Sequence, residues 1–156
     1  MSEGKVRNRL LEKGQSMIEL AVSMILLMIL LAGIFDLGRA LILYFDFQDA
    51  AAEGIVYGTS FPTDCNQILM RVSENLPNQF ISNSVTVNIY IQDAYSVYTS
   101  CYTIANSDVY AGKLMKVEIK YDYPVTMPFL GSIIGKQTIP MTITSIGVVL
   151  RPPPPA

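Results

Sequence analysis

Few side chains in this sequence can do chemistry, and the ones that can sit in telling places. Glu19 is the only charge in the run from Gln15 to Phe35, otherwise built from Met, Ile, Leu, Ala, Val, Gly and Phe with Gln15, Ser16 and Ser23. A carboxylate just inside an apolar run costs about 2.5–3.5 kcal/mol when central and less near the edge, and is usually kept because it meets a partner. Two readings stand: an interfacial acid on the first helical turn, favoured by the helix dipole, or the partner of a cation on another chain. Asp36 and Arg39 are three apart, share a helix face and can pair. At the far end of the apolar run they suit anchoring and subunit contact better than catalysis, and an exposed pair is worth a few tenths of a kcal/mol. Cys65 and Cys101 are too few for a zinc site. In an oxidising compartment a disulfide between them would contribute about 3–4 kcal/mol, the alternative being two buried thiols. Tyr90, Tyr95, Tyr98, Tyr102 and Tyr110 tempt one toward a glycan platform, but with no acid pair beside them loop packing is the better reading.

Composition narrows the classes. The 156 residues leave room for one modest domain and an anchor. The chain is 51% hydrophobic and 15% charged, and the apolar excess is concentrated between Met17 and Phe35. Its net charge of −2 gives no electrostatic argument for nucleic acid. Histidine is absent, which removes the commonest general base and transition-metal ligand. No metal, cofactor or enzymatic activity is expected.

These residues need elements to hold them. Residues 17–36 are just long enough to span a bilayer core of about 30 Å. Lys5, Arg7, Arg9 and Lys13 precede the run, and Asp36, Asp46, Asp49 and Glu53 follow it. The positive-inside rule therefore puts residues 1–14 in the cytoplasm and everything past Phe35 outside. A cleaved secretory signal peptide fits less well, because the run is too long and Leu30-Leu31-Ala32 places a bulky residue where a small one is needed. Leu37, Leu41, Tyr44, Phe45, Ala52, Ile55 and Val56 continue at helical spacing. A helix over 15–57 is expected, with its second half projecting and seeking a partner for that stripe. Asp64 or Asn66 would cap a short helix ending before Pro77. Alternation predicts strands over Ser84–Gln92 and Lys116–Tyr123, and a third from Thr138 whose phase slips near Ser145–Gly147, where a bulge is expected. Residues 58–150 form the exported α+β domain, and the Pro-rich 151–156 a stiff tail. The fold class is α+β, a long membrane helix extending into a small antiparallel sheet domain, pilin-like in outline.

Lys13-Gly14-Gln15-Ser16-Met17-Ile18-Glu19-Leu20 resembles a class III (type IV) prepilin leader. That resemblance implies cleavage by a membrane peptidase between Gly14 and Gln15. Glu19, then the fifth residue of the mature chain, would pair with the new N-terminal amine of a neighbour. The longer stretch is similar to the TadE-like pseudopilins: Gly14 to Ala21, the apolar run, Gly33-Ile34-Phe35-Asp36-Leu37-Gly38-Arg39, Tyr44-Phe45, and Gln48-Asp49-Ala50-Ala51-Ala52-Glu53-Gly54. Tyr121-Asp122-Tyr123-Pro124 with Pro128-Phe129-Leu130 resembles the family's late strand and loop more weakly. Leu20 and Glu53 depart from the commoner phenylalanine and arginine. Gly33 and Gly38 suit close helix approach, since no phosphate loop is present.

The resemblance implies a minor pilin or pseudopilin of a Tad-type pilus or secretion system in the bacterial cytoplasmic membrane. Its partners would be a prepilin peptidase, the Flp-type major pilin, other TadE/TadF-like subunits, membrane platform proteins and the lipid bilayer, with no nucleic acid. A signal-anchored extracytoplasmic binding module that keeps its first 14 residues is the alternative.

Overall fold

No proline interrupts the sequence before Pro62, and one helix, α1 (Glu3–Ser60), takes up 58 residues. The computed structural model describes residues 3–77, 85–126 and 135–150, with side chains from Gln15 onward. The side chains of the basic leader, Ser84, Pro128-Phe129-Leu130 and the tail 151–156 lie outside the described residues. At ~1.5 Å per residue α1 is about 87 Å long, longer at both ends than the expected 15–57. Over its membrane-length stretch, Met17, Leu20, Leu26 and Phe35 are among the many large apolar side chains left exposed. Among the described residues one helix is thus long and apolar enough to cross a membrane.

α1 stops where Phe61 N donates to Tyr57 O at 3.0 Å and the chain turns through Pro62. Helix α2 (Cys65–Asn75) follows, and its N-cap is Asp64, whose carboxylate accepts from Gln67 N at 3.3 Å. Ile68 and Val72 are buried against α1. At Gly54 the two helices approach so closely that a Cβ would lie 2.4 Å from Val72 Cγ2.

The sheet has order β2-β1-β3-β4 and is antiparallel throughout, from β1 (Val85–Gln92), β2 (Tyr98–Ser100), β3 (Leu114–Pro124) and β4 (Thr138–Val148). The fold is α+β, as expected. The alternation of β3 is the clearest in the chain: Met115, Val117, Ile119, Tyr121 and Tyr123 face inward and are buried. β2 was not expected. Asp93 makes it, because its Oδ1 accepts from both Tyr95 N and Val97 N at 2.9 Å and reverses the chain.

Two expectations need correcting. β4 carries no bulge, since its pairing with β3 runs unbroken from Pro124↔Thr138 to Leu114↔Val148. The apparent slip in phase has a steric origin. Inward positions shrink from Ile143 to Ser145 to Gly147 as α1 closes on the sheet, and a Cβ at Gly147 would meet Ile55 Cγ2 at 2.4 Å. Ile146 and Val148 face outward and are exposed. The second correction concerns α1. Its docked stripe is Asp36, Ala40, Leu43, Phe47, Ala50, Ala51 and Ile55. Of the stripe read from sequence only Ile55 is buried, while Leu37, Leu41, Tyr44, Phe45 and Val56 stay exposed. Alanines and an aspartate hold the docking face because the sheet sits close to the helix axis there.

Candidate functional site at the helix–sheet junction

Asp36 occupies the first position of the docked stripe, where α1 leaves its apolar run. Its residue is only 9% exposed. Two residues at the end of β3 and just beyond it supply the donors. Tyr123 OH donates to Oδ1 at 3.0 Å and approaches the Asp36 carbonyl at 3.1 Å. Thr126 donates its Oγ1–H to Oδ1 at 2.6 Å and its backbone N–H to Oδ2 at 3.1 Å. A buried carboxylate is tolerable only when donors replace its lost water, and here the donors come from residues 87 and 90 positions later in the chain. Burial first, and then the bond to Asp36, push the Tyr123 hydroxyl above its usual pKa, so the tyrosine stays a donor. Arg39 partly offsets that rise at Tyr123 and at Tyr121. It lies on the flank of α1, lining a depression of about 270 Å³ with Leu43, Asp46, Tyr121, Tyr123 and Pro124. Asp36 therefore binds helix to sheet, a role that its spacing to Arg39 did not reveal.

On the other flank the same junction leaves an apolar crevice of about 400 Å³. At the opposite end of the apolar run, Glu19 is exposed on the face of Gln15, whose Nε2 donates to Oε1 at 3.3 Å. The Gly14–Gln15 peptide lies within continuous helix. Cys65 and Cys101 are joined in a disulfide with Cα atoms 5.9 Å apart, tying the first residue of α2 to the residue after β2. Loop packing describes Tyr110, half-buried with Lys113 Nζ 5.2 Å from its ring centre, but not Tyr95 and Tyr102, which are exposed, nor Tyr90 and Tyr98, which flank Lys116 Nζ at 4.7 and 5.1 Å from their ring centres. Among the described residues no group of acids and cysteines is placed to hold a metal ion.

Residues 14–55 match the family model of the TadE-like proteins. This stretch is TadE-like. No curated protein and no solved structure matches the chain. The match agrees with the family expected from the motifs and, over this stretch, supports a Tad pilus-related protein, while α1 has the length and composition of a membrane anchor. It also sorts the geometry. Asp36, Ala50, Ala51 and Gly54 all lie in the TadE-like segment and form the helix side of the junction, whereas the residues that dock on them, from Ile68 to Gly147, lie beyond it. Tyr123 and Thr126 escaped the sequence reading because nothing local links them to Asp36. The available signal was Asp36 itself, in phase with Ala40, Leu43 and Phe47 rather than with the bare stripe.

Proposed function

We propose that this protein is a minor pilin or pseudopilin, a structural subunit of a Tad-type pilus or secretion machine and not an enzyme. It sits in the bacterial cytoplasmic membrane with residues 1–14 inside and the sheet domain outside. A prepilin peptidase removes residues 1–14, and Glu19 then receives the new amine of a neighbouring subunit, whether the Flp-type major pilin or another TadE/TadF-like chain docked on the membrane platform.

The observation that carries this reading is the division of α1. Its stretch from Met17 to Phe35 is apolar and largely uncovered, the part from Asp36 onward is clad on one face by a small α+β domain, and the TadE-like match begins at Gly14. Glu19 supports it as well, being exposed one helical turn from Gln15.

Intact mass of the protein from its native membrane is the test. Loss of residues 1–14, prevented by Gly14→Leu, is the expected result. A mature chain beginning at Met1 would point instead to an uncleaved, signal-anchored binding module. Glu19→Leu separates processing from assembly: cleavage and membrane insertion should persist while co-purification with pilin partners is lost. Unchanged association would leave Glu19 an ordinary interfacial acid.

A further inference from the structure

The surface of α1 does not turn polar where its charge-free run ends at Phe35. Leu37, Leu41, Ile42, Tyr44 and Phe45 follow, each between 41% and 64% exposed. Two charges precede Asp46 in this stretch, and neither spoils that surface. Asp36 is buried under the donors of Tyr123 and Thr126. Arg39 opens on the depression it shares with Asp46 and Tyr121, where a long side chain can carry its charge toward water. The foot of the sheet continues the same surface. Tyr123 reaches Asp36 and pairs with Ile139, which sets the start of β4 level with Asp36. Between Ile139, itself exposed, and Leu37 and Leu41 opens the apolar crevice of about 400 Å³.

We propose that this foot is sunk into the outer leaflet, with an acyl chain of a phospholipid lying in the crevice and Tyr44–Phe45, rather than Phe35, marking the water boundary. Three observations carry it. The crevice is continuous with the apolar run, so the apolar chains that cover that run reach it without crossing water, and covering it removes apolar surface from water. Its length fits: Gly33 to Tyr44 is about 16 Å at ~1.5 Å per residue, and one leaflet supplies about half of a ~30 Å hydrocarbon core. Its upper end carries the side chains that favour the membrane–water interface, Tyr44 and Phe45, packed edge to face with ring centres 5.9 Å apart. The inner boundary then falls into place. Measured down the helix from Phe45, a core of about 30 Å ends near Ile25 and leaves Glu19 at the inner headgroups, where a carboxylate costs less than at depth.

The inference rests on the membrane anchoring in the proposed function and not on the Tad role. The chain has no tryptophan, so a single introduced one reports its own surroundings. Full-length chains carrying Leu30→Trp, Leu41→Trp, Ile139→Trp or Tyr95→Trp are reconstituted in vesicles of phosphatidylcholine and phosphatidylglycerol. The acyl chains are either plain or brominated, and iodide is equilibrated across the membrane. Leu41 is the deciding position on α1, about 9 Å past Phe35, and Ile139 is the deciding position on the sheet. Both should lose most of their emission in brominated lipid and resist iodide, as Leu30→Trp does. Tyr95→Trp should behave in the opposite way. A Cys65–Cys101 disulfide formed in every variant excludes misfolding as the cause. Bromine quenching at Leu30 with iodide quenching at Leu41 or Ile139 would overturn the proposal and leave anchoring intact. No bromine quenching even at Leu30 would remove anchoring and the proposal together. Protection of Leu41 or Ile139 from both quenchers would show that protein fills the crevice, and would overturn the proposal as well.

Discussion

The Asp36 carboxylate trades water for donated hydrogen bonds, and removing it would strand both Thr126 donors and leave the Tyr123 hydroxyl only the backbone carbonyl of residue 36. Unsatisfied buried donors cost about 1–3 kcal/mol each and more when the lost partner is charged, with partial relaxation expected. Asp36→Ala should therefore destabilise the domain by about 2–4 kcal/mol, and Asp36→Asn, which keeps an acceptor and the volume, by less than half of that. Thermal unfolding of the reconstituted full chain, followed by tyrosine near-UV dichroism, measures both. Tyr123 makes the junction sensitive to alkali. Burial, then the bond to Asp36, raise its folded pKa above the ordinary 10.0, so folding favours the protonated phenol. Its contribution is complete below the unfolded value and is lost as pH climbs through the raised one. Tyr123→Phe should flatten the alkaline limb of the stability profile, leaving the slope due to Tyr121, which burial raises, and to Tyr57. Glu118 acts at the other extreme. The bond from Lys120 Nζ at 2.9 Å, then that from Lys116, hold its carboxyl below the ordinary 4.5 against the opposing effect of burial. Its contribution is present above 4.5 and lost as pH falls through the lowered value, so Glu118→Gln should shallow the acid limb.

At the scale of elements, the close approach of α1 to β4 is the feature most easily broken. Gly147→Val would drive a branched side chain into Ile55 and Thr59, and overpacking of this kind costs typically 1–3 kcal/mol. The midpoint of thermal unfolding should fall accordingly, while Thr144→Val on the opposite face should change it little. The disulfide closes a loop of 36 residues, and the loop-entropy argument gives about 3–4 kcal/mol for it. A paired Cys65→Ser and Cys101→Ser variant should lose that much, against no change for wild type treated with oxidant. These elements also show what a single sequence can say. β3 was legible because Lys116, Glu118 and Lys120 alternate with Val117, Ile119 and Tyr121, a pattern that admits one face only. β4 was misread near Ser145–Gly147, since apolar parity reports which side chains avoid water only when every apolar side chain is inside. Here Ile146 and Val148 are not. α1 was misread for the same reason. It carries two apolar stripes, and the richer one, through Leu37, Leu41 and Phe45, is the one the sheet leaves bare. Residues before Phe35 announced themselves because a membrane span is specified by composition, whereas the Asp36–Tyr123–Thr126 bonds depend on a pairing some 90 positions apart that composition does not encode.

For the whole molecule, the exported topology proposed above predicts that an unpaired cysteine placed at Tyr95 reacts with a membrane-impermeant maleimide in intact cells, while one placed at Ser2 reacts only after lysis. Labelling of both, or of neither, would reverse or refute the orientation. The reach of the domain also follows from where its core lies. Leu43, Phe47, Ala50, Ala51 and Ile55 of α1 share one core with Ile119, Ile143 and Val149, and the lowest bond of that core is made at Asp36. In the proposed topology, no free length of helix separates the head from the bilayer. A shaft keyed to its head at Asp36 and again near Gly147 transmits torque without slack: turning the buried segment by one residue's worth, 100° for 3.6 residues per turn, would sweep the entire sheet through the same arc over the membrane. In that topology, any machine that grips the apolar stretch of α1 steers which way Tyr95 and its neighbours point.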